Sequence, residues 1–136
     1  MKPLVTLIVV ALAAAGAASA SSPSASILIR HQVRGCHTWS VNGNAFKAAQ
    51  SVKLHRGTVV RVTNNDVMPH KLVQVSGPKS RLVTPAMNHM GATAKIVLAK
   101  AGVYKFTTRA GEDYPGMDGM KTVGEDNVLR LTVTVS

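Results

Sequence analysis

The chain has 136 residues and a formal charge of +10 at pH 7, with 16 Lys or Arg against 6 Asp or Glu. One Trp, two Tyr and two Phe are too few to interleave with a basic stripe, and no run of five like charges occurs, which argues against nucleic-acid binding. The dispersed positive charge reads instead as solubility plus weak attraction to anionic polymers or acidic partners. The single cysteine, Cys36, rules out an internal disulfide.

The first segment reads as a leader. Lys2 precedes the apolar run Leu4 to Ala15, and Ala18-Ser19-Ala20 is a small-residue cleavage site. The run is too short for a membrane-spanning helix. Residues 1–20 are therefore expected to be a secretory signal, 21–26 a short flexible lead-in, and 27–136 one domain. Secretion would place that domain outside the cytoplasm, in a periplasm or cell envelope. There the Cys36 thiol is free, intermolecular or metal-bound.

Beyond the leader, short alternating runs are separated by turn residues. Ile27 to Val33 reads as a strand broken by Arg34-Gly35, and Val41-Asn42-Gly43-Asn44 as a turn. Ser51 to Leu54 and Thr58 to Thr63 flank Arg56-Gly57 and read as a hairpin. Asn64 to His70 then form a loop, and Lys71 to Val75 a strand that stops at Ser76-Gly77-Pro78. Thr93 to Leu98 and Val103 to Thr108 flank Lys100-Ala101-Gly102 as a second hairpin, and Asn127 to Val135 close the chain. Strands at this spacing predict an all-β fold, an antiparallel sandwich or small barrel. Glu112, Asp113, Asp118, Glu125 and Asp126 crowd one late segment, where they would cap turns or counter the basic surface.

The loop Asn64-Asn65-Asp66-Val67-Met68-Pro69-His70 places an imidazole just past a strand end, behind a rigid proline. Ala101-Gly102-Val103-Tyr104-Lys105-Phe106 and Gly116-Met117-Asp118-Gly119 follow it in order. These three motifs resemble the cupredoxins of the plastocyanin and pseudoazurin type, from about Phe46 to the C-terminus. The resemblance implies a Greek-key β-sandwich holding one copper ion at a pole, with His70 as first histidine ligand and Met117 as axial thioether. Two features depart from the family pattern. Thr107 and Thr108 stand in the region of its cysteine, and no histidine lies between Thr108 and Met117.

Other segments can supply the missing donors. In that topology the turn carrying Cys36-His37 and the connection carrying Met87-Asn88-His89-Met90 reach the same pole. Copper favours thiolate, thioether and imidazole. Cys36 is thus a candidate thiolate, either His37 or His89 a candidate second imidazole, and the candidate metal set is Cys36, His37, His70, His89 and Met117. Met87 and Met90 read as core filling, His31 and His55 as solvated, and Trp39 as a core or rim aromatic. The expected function is a secreted, monomeric copper-binding protein for electron transfer or copper carriage, with an acidic redox or copper-trafficking partner. The alternative is a metal-free sandwich for adhesion or interaction. An enzyme is not expected: the chain has no His-x-His pair, cleavage exposes Ser21 rather than a histidine, and no Ser-His-Asp arrangement has convincing context.

Overall fold

The structure, a computed structural model, describes residues 22–32, 37–110 and 128–136. The leader, Cys36 and Met117 lie outside the described residues. Among the described residues ten strands make two five-stranded sheets, and none of these residues is helical. β1 (Ser24–His31), β2 (His37–Val41), β4 (Thr58–Asn65), β6 (Arg81–Val83) and β8 (Thr93–Leu98) form one sheet, in the order β2-β1-β4-β8-β6. β3 (Ala49–Leu54), β5 (His70–Ser76), β7 (Ala86–Met87), β9 (Gly102–Ala110) and β10 (Arg130–Val135) form the other, in the order β3-β10-β9-β5-β7. The expected all-β sandwich is therefore what the chain forms. Both sheets are mixed, because β1 runs parallel to β4 and β3 parallel to β10.

Alternation sets the core. Side chains of successive strand residues point to opposite faces, so Ala25, Ile27 and Ile29 of β1 face Val60 and Val62 of β4 and Ala94, Ile96 and Leu98 of β8 on one inner surface. Tyr104 and Phe106 of β9 and Leu131, Val133 and Val135 of β10 make the other. Burying each large side chain of this set stabilises the fold by roughly 1.5–3 kcal/mol. Trp39 lies fully buried among them, its indole N–H donating to the Ala48 carbonyl at 3.0 Å, so it is a core aromatic.

Three sequence expectations need correction. Neither expected hairpin pairs with itself. β3 and β4 lie in different sheets, as do β8 and β9, so both short connections turn the corner between layers. An alternating strand can offer its apolar face to a neighbour in the same sheet or across the core, and local sequence does not choose between them. The first strand also begins inside the expected lead-in: Ser24, Ala25 and Ser26 already pair with Val59, Val60 and Arg61. Finally, β2 starts at His37, where no strand was expected, and all five of its residues are buried.

The topology gathers several connections at one pole. Arg30 pairs with Asn65, His31 with His37, and His70 with both Ala110 and Met87. The ends of β1, β4 and β9 and the starts of β2 and β5 therefore meet there. Of the described residues, no helix is long and apolar enough to cross a membrane.

Candidate metal centre

Strand parity decides which polar side chains enter this pole. In β1 the inward set Ala25, Ile27, Ile29 continues to His31, which emerges at the sheet rim with 44% of its side chain exposed. His37 stands directly opposite His31 across an antiparallel pair, so the two share a face. In β4 the inward set Val60, Val62, Asn64 continues past the strand end to Asp66, and both polar residues are completely buried. From the second sheet, β5 turns His70 inward beside Thr108 of β9.

Asn64 shapes the loop. Its Oδ1 accepts from the Asp66 backbone N–H at 2.9 Å, and its Nδ2 donates to the carbonyls of Met68 and Met87 at 3.0 and 3.1 Å. The Asn64 backbone also bonds Ala92 and Gly91. One side chain thus ties the β4–β5 loop to the β7–β8 connection, and its short-range turn aims Asp66 inward.

Asp66 is the hub. Its Oδ2 lies 2.7 Å from His37 Nδ1 and 3.0 Å from His70 Nε2, and its Oδ1 accepts from the Met68 backbone N–H at 3.1 Å. His31 Nδ1 lies 3.6 Å from Oδ1. An ionised carboxylate only accepts, so His37 donates through Nδ1–H and His70 through Nε2–H. The second nitrogen of His70 lies 2.8 Å from the Thr108 hydroxyl. The His37 and His70 rings meet edge to face with centroids 4.7 Å apart. Burial alone would raise the Asp66 pKa; hydrogen bonds from His37, His70 and the Met68 N–H, with the His70 charge, outweigh it. The carboxyl is held well below the usual carboxylate range.

One donor atom each from His31, His37 and Asp66 lies within 4.8 Å of the others, a group that could hold a metal ion. Metal–nitrogen and metal–oxygen bonds of about 2.0–2.2 Å put neighbouring ligand atoms roughly 3 Å apart. The separations of 2.7 and 3.6 Å between Asp66 and the two histidines bracket that spacing, and Nδ1 of His37 would bind only after giving up the proton it donates to Asp66. Two imidazoles and a carboxylate suit copper, zinc, iron or nickel by donor chemistry. The residues fit a copper ion.

Of the candidate ligands expected from sequence, His37 and His70 are brought together. His89 is exposed on the β7–β8 connection, its Nδ1 3.0 Å from the Met90 carbonyl, and is not in the three-residue group. Cys36 and Met117 fall outside the described residues. Met87 is buried core as expected, whereas Met90 is 54% exposed. Sequence reasoning missed Asp66 as a site residue; it read His31 as solvated, and that side chain is 44% exposed, but it missed the place of His31 in the three-residue group. The signal for both was parity: Ile27-x-Ile29-x-His31 ends an apolar inward series in one polar residue, and Val60-x-Val62-x-Asn64-x-Asp66 ends one in two. Asp66 is also the one acid of the chain outside residues 112–126.

No protein-family model matches the chain, and no curated protein does. Solved structures similar to it include a purple cupredoxin from Nitrosopumilus maritimus, 22% identical, with 82% of this chain aligned to 98% of that one at a TM-score of 0.49. A mutant of oxidised amicyanin is 15% identical over 82% of each chain, at a TM-score of 0.37. An inclusion body protein, PixA, from Burkholderia cenocepacia is 9% identical over 87% of this chain and 98% of that one, at 0.45. The described strands form a two-sheet β-sandwich whose pole brings together His31, His37 and Asp66.

Proposed function

We propose that the chain is an extracytoplasmic, non-catalytic protein that holds one copper ion at this pole and serves electron transfer or copper carriage. The observation that carries the reading is the convergence of His31, His37 and Asp66 donor atoms within 4.8 Å at the end of a rigid sandwich. The motifs around His70, Tyr104 and Met117 supply the choice of copper, and the leader supplies the compartment. Copper titration of metal-free protein, followed by elemental analysis and thermal melting, tests it. One copper per chain is expected, with a melting temperature that rises with copper concentration as mass action requires. Binding weaker than micromolar for both cupric and cuprous ion would sink the proposal.

One observation favours a second reading. The Asp66 oxygens already accept from two rings and a backbone N–H, so the cluster can clamp the pole of a metal-free interaction module. The same titration decides between the two.

A further inference from the structure

We infer that the ligands of the pole site are His31, His37 and Asp66, that His70 stands outside the shell and positions Asp66, and that this nitrogen–oxygen set takes a divalent ion, cupric before cuprous. The inference rests on the copper-binding reading and names the oxidation state that site selects.

His70 is gripped at both edges. Nε2 lies 3.0 Å from Asp66 and Nδ1 2.8 Å from Thr108, and the ring is fully buried. Thr108 stands in the region where the cupredoxin resemblance expects a thiolate, and its hydroxyl holds the ring instead. A carboxylate that binds a metal through one oxygen is commonly oriented by a hydrogen-bond donor behind it. His70 is that donor here, and Thr108 orients His70 in turn. His31 plays a different part. It lies at the rim, 44% exposed, and is the route by which an ion reaches the buried His37 and Asp66.

Donor hardness then sets the ion. Cuprous ion is favoured by sulfur ligands, whereas imidazole and carboxylate favour cupric ion and zinc. An ionised carboxylate between two imidazoles also places one negative charge against a dication. Each of these preferences acts through atoms of the described pole.

The test uses the full mature chain with Cu²⁺, Zn²⁺ and Cu⁺ as probes, the last buffered by a cuprous chelator. Variants His31→Ala, Asp66→Asn, His70→Gln and Cys36→Ser are compared by affinity, visible absorption and EPR. Cu²⁺ and Zn²⁺ are expected to compete for one site, with weak visible absorption and superhyperfine structure from two nitrogens. His31→Ala and Asp66→Asn should each lower Cu²⁺ affinity about 100-fold. His70→Gln should keep the two-nitrogen signal while affinity falls about 10–100-fold, as for other residues behind a ligand. Cys36→Ser should change nothing. An intense charge-transfer band abolished by Cys36→Ser overturns the inference and leaves the copper reading intact, as does a three-nitrogen signal reduced to two in His70→Gln. Failure of both Cu²⁺ and Cu⁺ to bind overturns the copper reading itself. Should Asp66→Asn not fold, the rim variant His31→Ala decides, since apo melting curves show whether it remains native.

Discussion

His37 Nδ1 and Asp66 Oδ2 lie 2.7 Å apart at a place where neither side chain reaches solvent. His37 opens β2 and Asp66 follows β4, 29 residues apart in sequence, so the contact exists only when β1, β2 and β4 have all docked. Taking the acceptor from a buried donor costs about 1–3 kcal/mol. Asp66→Ala also strips the acceptor from His70 and from the Met68 N–H. Urea denaturation of the metal-free protein should show a loss in that range. A loss under 1 kcal/mol would mean that the cluster does not bind the pole together.

The same carboxylate predicts an acid limb. Its folded pKa is depressed from an ordinary value of 3.8, so the folded chain holds fewer protons on Asp66 than the unfolded chain over the interval between the two values. Stability from this group is therefore fully present above the ordinary value and is lost as pH falls below about 4 toward the folded pKa. Wild-type and Asp66→Asn stabilities, measured from pH 7 down to pH 2, should converge as the pH drops. Parallel curves would remove Asp66 from the acid transition.

How much of this was visible in the sequence follows from the range of each interaction. The strand positions of β4, β8 and β9 show in alternation, which is a local property of Val60-x-Val62 or Tyr104-x-Phe106. The layer to which each strand belongs does not, because β3 and β4 turn a corner with the same Arg-Gly signal that a hairpin would use. His70 was found through its proline-flanked loop. Asp66 was hidden in the same loop, because a carboxylate beside a turn is ordinarily a solvated cap. Only the partners brought by β2 and β5 make it a buried hub. His31, within the first strand, was read as solvated and is 44% exposed, yet its parity with Ile27 and Ile29 also sets it at the pole near Asp66.

Charge on the outer faces gives a third prediction. Lys71 and Arg109 stand directly opposite each other on β5 and β9, on the face turned away from the core. Like charges in that position destabilise a sheet, while opposite charges contribute roughly 0.2–1 kcal/mol. Lys71→Glu should stabilise the protein by about 0.5–1 kcal/mol at low salt, and the gain should shrink in 1 M salt, where screening acts over about 3 Å. A salt-independent change would point to packing of the lysine stem instead.

Two glycines separate backbone strain from collision. Gly57 and Gly77 both sit at positive φ, +82° and +103°, where an L side chain is disfavoured. At Gly57, in the turn between the sheets, an added Cβ meets nothing within 4 Å. Gly57→Ala therefore carries the conformational cost alone, about 1–2 kcal/mol. At Gly77 the same Cβ would strike the carbonyl of Val103 and press on Tyr104 Cα at 2.8 Å. These are backbone atoms of β9, beside the irregular register between Gln74 and Ser76. They cannot rotate away as a side chain could, so relief requires β5 and β9 to separate at the end of their ladder. Gly77→Ala should cost at least about 3 kcal/mol, placing it among severe single substitutions. Equal losses for the two variants, measured by chemical denaturation, would show that the close approach of the β5 turn to β9 is not a constraint on the fold.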